Sequence, residues 1–269
     1  SANEECDRVL PVIEALAPII CERNLFHQKE PLRISIDTSK AEVATAAAAA
    51  GATILNDVKG LQSDALAEAS KLFDICVLMH SRGTPLTMQQ LTSYDELISE
   101  IYQWLSTQSQ RCKSAELYID PGIGFAKTSE QSLQLLKHAA RFLELGPVLI
   151  GASRKSVIGN TLKQPNAKDR LIGSLAVVAA CYARGIRAFR VHDVAETHEL
   201  LQMLGAIENQ DTAWVGKVKR MLEDAGYMIH VNGIDCFMPG SLAGINKLHD
   251  FESIVGEEIY VVPVSFSKE

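Results

Sequence analysis

An α/β domain with a parallel sheet, followed by a small all-β domain, is the fold that the sequence predicts, and three observations predict it. From about residue 9 to residue 207, short β-rich runs alternate with longer helical patterns, the rhythm of strands joined by helical crossovers. After Glu208 the helical periodicity stops and short alternating runs punctuated by glycine take over, as in a small antiparallel barrel or sandwich. The chain has 269 residues, 47% of them apolar, enough for one large domain or two ordinary ones at about 150 residues per domain, with ample material for a core. Disordered and fibrous classes are excluded.

Taken in order, six strands are expected at Arg33–Asp37, Thr53–Asp57, Asp74–His80, Glu116–Asp120, Val148–Ala152 and Ala188–His192, each ending in a polar or small residue where a loop begins. Helices are expected between them at Ala41–Ala50, after Tyr94, at Glu130–Glu144 and at Ile172–Arg184, and the five alanines at 46–50 read as a close-packed helix. In a (β/α) barrel the loops after the C-terminal strand ends build the active site. Asp37, Asn56, Asp57, His80, Asp120, Ser153 and His192 are therefore expected to converge on one mouth. A polar joint at Asn209–Asp211 precedes the runs Trp214–Leu222, Gly226–Val231, Asp235–Phe237 and Ile259–Phe266. The boundary is placed near residue 210, separating 1–208 from 209–269.

Charge and cysteine usage narrow the class. A formal charge of -7 argues against indiscriminate binding to nucleic acid or anionic lipid. Six cysteines, at 6, 21, 76, 112, 181 and 236, form no CxxC pair, so they read as reduced thiols of a cytoplasmic protein, with neither a disulfide framework nor a metal site. The stretch Val9–Ile20 is broken by Pro11, Glu14 and Pro18; nothing approaches the roughly 18 apolar residues of a membrane span, and no membrane partner is expected. The first residues lack the basic start of a secretory signal.

The polar strand ends carry the chemistry. Asp37 in ISIDTS and Asn56 in TILNDV put a carboxylate and an amide on adjacent tips, suited to the donor-rich edge of a nitrogen heterocycle. Asp37 followed by Thr38 and Ser39 reads equally as a helix N-cap. VLMHSRGTP places His80 and Arg82 after a strand, as site residues or as a solvated basic turn. In YIDPGIGFAKTSEQ, Asp120 closes a strand and the glycines allow close backbone approach, with Lys127 just beyond. GASRKSVIG brings Ser153, Arg154 and Lys155, and FRVHD brings Arg190 and His192. Cations at two late strand ends make an anion site, although any one of them also reads as ordinary surface charge.

Together the strings ISIDTS, GATILNDVKG, MHSRGTP, DPGIGFAKT, GASRKS, GSLA and RVHDVAET, in order over roughly residues 5–207, resemble dihydropteroate synthase, a TIM-barrel-type enzyme of folate biosynthesis. The resemblance implies that Asp37, Asn56, Asp120 and Lys155 contact the dihydropterin ring, with Met79 and Phe125 also among the substrate-binding residues. It implies that Arg190 and His192 contact the diphosphate, and that Ser153 and Lys155 border p-aminobenzoate. Lys155, Asp120, Arg190 and His192 form the implied catalytic set. The partners implied are p-aminobenzoate and 6-hydroxymethyl-7,8-dihydropterin diphosphate, with Mg²⁺ assisting departure of diphosphate and a homodimer through late helices.

The segment NEECDRVLPVIEAL resembles the family's helix after its second strand. The expectation is therefore an incomplete barrel of six strands with two open edges, inactive unless the loops of the first two strands are supplied, for instance by a completing second chain. Those loops ordinarily bring an Asn to the metal side and a Ser-Thr-Arg-Pro-Gly segment to the p-aminobenzoate side. Residues 212–269 resemble an S-one-type RNA-binding domain, an OB-fold, on WVGKVKRMLEDAGYMIHVNGIDCFMPGS, with a fifth strand missing after Glu269. Tyr227, His230 and Phe237 with Lys217 and Lys219 are its candidate contacts to single-stranded RNA, against a composition of five cations and nine acids from Asp211 onward. The alternative to the enzyme is thus a non-catalytic or chimeric scaffold bearing an RNA-binding module.

Overall fold

The computed structural model describes residues 1–26, 31–210, 214–222, 226–231, 234–239, 255–256 and 258–261. Helix α1 (Ala2–Phe26) leads, running through Pro11 and Pro18. Then strands and helices alternate: β1 (Ser35–Asp37), α2 (Ala41–Ala49), β2 (Ile54–Asp57), α3 (Asp64–Ala69), β3 (Ile75–Met79), α4 (Leu97–Ser109), β4 (Glu116–Asp120), α5 (Ser129–Lys137), β5 (Leu149–Ile150), α6 (Ser156–Leu162), α7 (Leu171–Tyr182), β6 (Ala188–Phe189) and α8 (Val194–Gln210). All six expected strands form, Glu116–Asp120 with its expected bounds and the other five shorter. The expected helix Glu130–Glu144 splits at His138, with a 3-10 turn at Ala139–Glu144 completing it.

The strands lie side by side in chain order and in parallel. β1, β2, β3 and β4 form one sheet, a bridge between Ile119 and Val148 carries it to β5, and β5 pairs with β6. Parallel pairing places every C-terminal tip at one end. The pleat then decides which tip residues meet, because successive side chains point to opposite faces. Ser35 and Asp37, Ile54 and Asn56, and Ile75 and Val77 line a cavity of about 470 Å³ that Tyr118 of β4 and Arg190 beyond β6 also border. Their neighbours Ile36, Leu55, Cys76 and Leu78 turn outward into the core with Val43 and Ala47 of α2, Leu66 of α3 and Ile101 and Leu105 of α4. The parallel sheet is therefore curled, with its first and last strands both facing the same cavity. Among the described residues β1 and β6 each pair on one side only.

The chain separates into two compact units, Ser1–His198 and Glu199–Glu269, so the division falls within α8 rather than at the polar joint, and Asn209 and Gln210 are helical. The second unit contains β7 (Trp214–Leu222), β8 (Gly226–Val231), β9 (Ile234–Pro239) and β10 (Glu258–Val261) in an antiparallel sheet of order β10-β7-β8-β9. Val218, Tyr227 and Ile229 are its buried side chains, and the register shifts between Val218 and Arg220. The small all-β expectation holds. An OB-fold barrel is not seen among the described residues, which show a four-stranded antiparallel sheet, and 262–266 of the expected last run lie outside them.

Candidate functional site

Asp37 and Asn56 pair in register at the tips of β1 and β2. The N-cap reading of Asp37 fails: Lys40 occupies the cap of α2 without a side-chain bond, and Thr38 makes the local contacts, its hydroxyl donating to Glu5 Oε1 at 2.6 Å and accepting from Lys40 N–H at 3.3 Å. The Asp37 carboxylate instead accepts from Arg190 Nη1 at 2.8 Å. This contact ties the loop after β6 to the tip of β1. The Asn56 side chain lines the cavity and has no protein partner among the described residues.

Asp120, in register with Met79, is buried, and burial pushes its carboxyl above the usual range while Lys155, Lys127 and Arg190 pull against that. Its Oδ1 accepts from Gly122 N–H at 2.7 Å. Lys155 donates from Nζ to Ile123 O at 2.7 Å and lies 4.6 Å from the centre of the Phe125 ring; burial lowers its pKa, and Asp120 opposes this. At Gly151 an added Cβ would come 3.8 Å from Arg190 Cβ and 4.0 Å from Asp120 Oδ2. These are ordinary contact distances, and they put Gly151 beside both the anionic and the cationic group. Ser153 Oγ meets His192 Nδ1 at 3.0 Å and accepts from His192 N–H at 3.2 Å. The loops after β5 and β6 are thereby joined.

Three sequence readings are corrected here. Arg154 is not part of the anion site, because its guanidinium makes two bonds to Asp193, one of them from Nε to Oδ2 at 3.1 Å. Asp57 leaves the expected convergence: on the outward side of β2, it accepts from Lys59 N–H at 2.9 Å and Leu61 N–H at 2.8 Å, holding the following turn. His80 also leaves it, yet is no solvated turn. It is buried, its ring 4.9 Å from that of Trp104 in an edge contact, and burial with Lys127 and Arg82 nearby lowers its pKa to about 3. Arg82 stacks at 3.8 Å on Tyr94 and pairs with Glu100 at 2.9 Å. Asp193, Gly151 and Lys127 were missed as functional supports. Their sequence signals are an acid directly after His192, a glycine opening GASRKS and a lysine closing the glycine loop.

The candidate RNA contacts fare differently. Tyr227 is 1% exposed and packs inside its sheet, so it is unavailable to stack on a base. Lys219 pairs with Asp235 at 2.8 Å and His230 Nδ1 with the same carboxylate at 2.6 Å, which neutralises that patch. Phe237 and Lys217 are exposed. For Mg²⁺, no group of three His, Cys, Asp or Glu side chains converges among the described residues. Asp37 is engaged by Arg190 and Asp120 by Gly122. These donors do not make a protein cage for the ion, and no step below is routed through it. Among the described residues no helix is long and apolar enough to cross a membrane.

Comparison with known proteins agrees with this geometry. The model of the family described as "Pterin binding enzyme" matches residues 1–192. A dihydropteroate synthase from a Synechocystis species is 40% identical over 215 residues, covering 77% of this chain and 71% of that protein. The Escherichia coli enzyme is 38% identical over 213 residues, covering 77% and 72%. Among solved structures, Thermus thermophilus dihydropteroate synthase in complex with 6HMPPP superposes with a TM-score of 0.69 at 33% identity, covering 77% of this chain and 81% of that one. The same enzyme in complex with 4-aminobenzoate gives 0.66 at 33% identity, with coverage of 74% and 75%. With the inward-facing polar tips around one mouth and a match on this scale, the chain belongs to the dihydropteroate synthase family of pterin-binding enzymes.

Proposed function

We propose that the chain catalyses the dihydropteroate synthase reaction of folate biosynthesis, joining p-aminobenzoate to 6-hydroxymethyl-7,8-dihydropterin diphosphate. The single observation that carries this reading is the pairing of two opposite electrostatic surfaces at one mouth. Asp37, Asn56 and Asp120 supply acceptors, and Lys155 and Arg190 supply charge-assisted donors, with Gly151 between Asp120 and Arg190.

In this reading the ring's amidine-like edge donates to the buried Asp120 carboxylate, and the Asn56 amide offers both a donor and an acceptor. The amine nitrogen of p-aminobenzoate bonds to the methylene carbon as the carbon–oxygen bond to diphosphate breaks. The oxygen leaves with the electron pair and the amine releases a proton. Positive charge develops on the methylene and negative charge on the departing oxygen. Asp120 on one side and Lys155 with Arg190 on the other each stabilise one end of that separation. A nucleophilic side chain is unnecessary. In this reading His192, whose Nδ1 meets Ser153 Oγ, donates to the diphosphate.

The Arg190–Asp37 pair has to open for both groups to reach substrate. Their side chains are 61% and 40% exposed, and an ion pair in that setting contributes about 0–1 kcal/mol. A diphosphate and a pterin edge readily replace it. The test is a coupled assay of diphosphate release on the full chain with both substrates, beside calorimetric titration with pterin-6-carboxylate. Saturable pterin binding that Asp120→Asn abolishes supports the reading, and a cooperatively folded chain that takes no pterin ends it.

A further inference from the structure

The loop after β4 holds two of the proposed pterin contacts, Asp120 through Gly122 N–H and Lys155 through Ile123 O, yet the proposed chemistry does not use the residue that closes it. Lys127 is 3% exposed. Its Nζ donates to Phe125 O at 2.9 Å and to His80 O at 3.5 Å, and lies 3.0 Å from His80 Nδ1. With the imidazole held neutral by burial, Nδ1 accepts, and the three donors of an ammonium each have a partner. No carboxylate pairs directly with Lys127 among the described residues. Asp120 acts on it only at longer range, raising its pKa against the lowering by burial, Arg82 and Lys155. A buried cation without a direct counter-ion is costly, and here it adds a buried joint to the backbone bond by which His80 N–H donates to Asp120 O at 3.0 Å.

The rest of the loop is built around that joint. Gly122 has φ +73°, and a Cβ there would lie 1.9 Å from His80 O and 3.2 Å from Lys127 Nζ. The same Gly122 donates its N–H to Asp120 Oδ1, and the loop's Ile123 O and Phe125 ring hold Lys155. On the far side Tyr94 OH donates to Ala126 O at 3.0 Å, and Thr128 with Gln131 forms a capping box that starts α5. Loop position thus sets Asp120 through one backbone N–H and Lys155 through one carbonyl and one ring.

We infer that Lys127 is a positioning residue, a pin that fixes the 121–127 loop against His80 and so sets the Asp120–Lys155 pair for the pterin. The inference rests on the pterin-binding reading above. On the diphosphate side it reaches Lys155 alone, because Arg190 and His192 lie on a different loop that the pin does not touch, so diphosphate binding depends on it far less than pterin binding.

Two measurements on the full chain test it. Hydrogen exchange of the unliganded protein reads the loop without any ligand. Lys127→Met keeps the aliphatic stem and removes the donors; amides of 122–126 are then expected to exchange about tenfold faster or more, with β3 and α5 unchanged. Titration with pterin-6-carboxylate is expected to weaken about tenfold or more, while titration with inorganic diphosphate stays within about twofold. Lys127→Gln, which keeps a donor for Phe125 O, is expected to fall between and carries the test if the methionine variant does not fold. Unchanged exchange in the loop overturns the pin. Faster exchange with unaltered pterin affinity, or with diphosphate weakened equally, overturns its positioning role. If the parent chain takes no pterin, the functional reading fails while loop exchange still decides the pin.

Discussion

Asn56 and Asp57 are consecutive residues at the tip of one strand, and the pleat sends them to opposite fates. Asn56 faces the cavity with its amide available for a ligand; Asp57 faces the helices and spends both carboxylate oxygens on the turn that follows. The same contrast recurs at the next tips. Met79 and Asp120 lie in register, whereas His80 turns outward against Trp104 and Lys127. In the proposed reading the inner tips bind substrate, and the outer tips brace the turns. Residue type alone does not separate the two sets, since each contains a carboxylate and nitrogen donors.

The largest expected effect lies on the inner side. Asp120→Asn keeps size and the bond to Gly122 but removes the charge opposite Lys155; kcat/KM is expected to fall about 10²–10³-fold, the range seen when one preorganised electrostatic partner is deleted. Initial-rate kinetics check this, and a loss under about threefold would break the division between binding and bracing tips.

On the outer side the expected loss is in stability. Asp57→Ala leaves the buried Leu61 N–H and the part-buried Lys59 N–H without their acceptor, a cost of about 1–3 kcal/mol, with Tm falling by roughly 2–4 °C per kcal/mol for a chain of this size. Pterin affinity of the folded fraction should stay within about twofold. A large change in affinity at unchanged Tm would reverse the assignment.

pH sharpens the contrast further. Burial lowers the pKa of Lys127 to about 7, whereas the unfolded chain holds that proton up to about 10.4. Between those values the unfolded state binds more protons, so this group's contribution to stability rises with pH through the window, and its full cost is present below the lower one. The denaturant midpoint of the parent, taken relative to that of Lys127→Met across pH 6.5 to 9.5, should rise as pH rises. A difference independent of pH would mean that Lys127 is not buried as described.

The smallest effect is expected at the exposed pair. Asp37→Asn removes the charge facing Arg190 and leaves an amide oxygen that can still accept, and stability should move by less than about 1 kcal/mol, read from the same denaturant curves. Pterin binding should weaken measurably, because the lost carboxylate faces the cavity.

How far the sequence could be read follows from these same residues. Strand positions were legible because each β-rich run ended in a polar or small residue before a helical stretch, and the motif strings marked Asp37, Asn56, Asp120, Lys155 and Arg190 for the mouth. What was not applied is the period of two within a strand: counting from Asp37 and Asn56 would have set Asp57 on the outward face, and counting from Val77 would have done the same for His80. Arg154 was illegible for another reason. Its partner Asp193 lies 39 residues away, and only the parallel pairing of β5 with β6 brings them together. Tyr227 failed as a stacking residue because a small sheet with one buried face draws its aromatic inward.

Helix α1 carries one more lesson, in its two prolines. Pro11 and Pro18 lie seven residues apart, nearly two full turns, and so share one side of the helix. Both are exposed while Ile13 points inward to the core. Each proline lacks the N–H that would reach the carbonyl four residues before it, so the carbonyls of Asp7 and Glu14 open toward water rather than toward protein. Hydration there offsets much of the missing bonds' cost, and both defects favour bending in the same sense, convex to solvent. Twenty-five residues of helix can in this way follow a curved surface that a straight rod would meet at only one point.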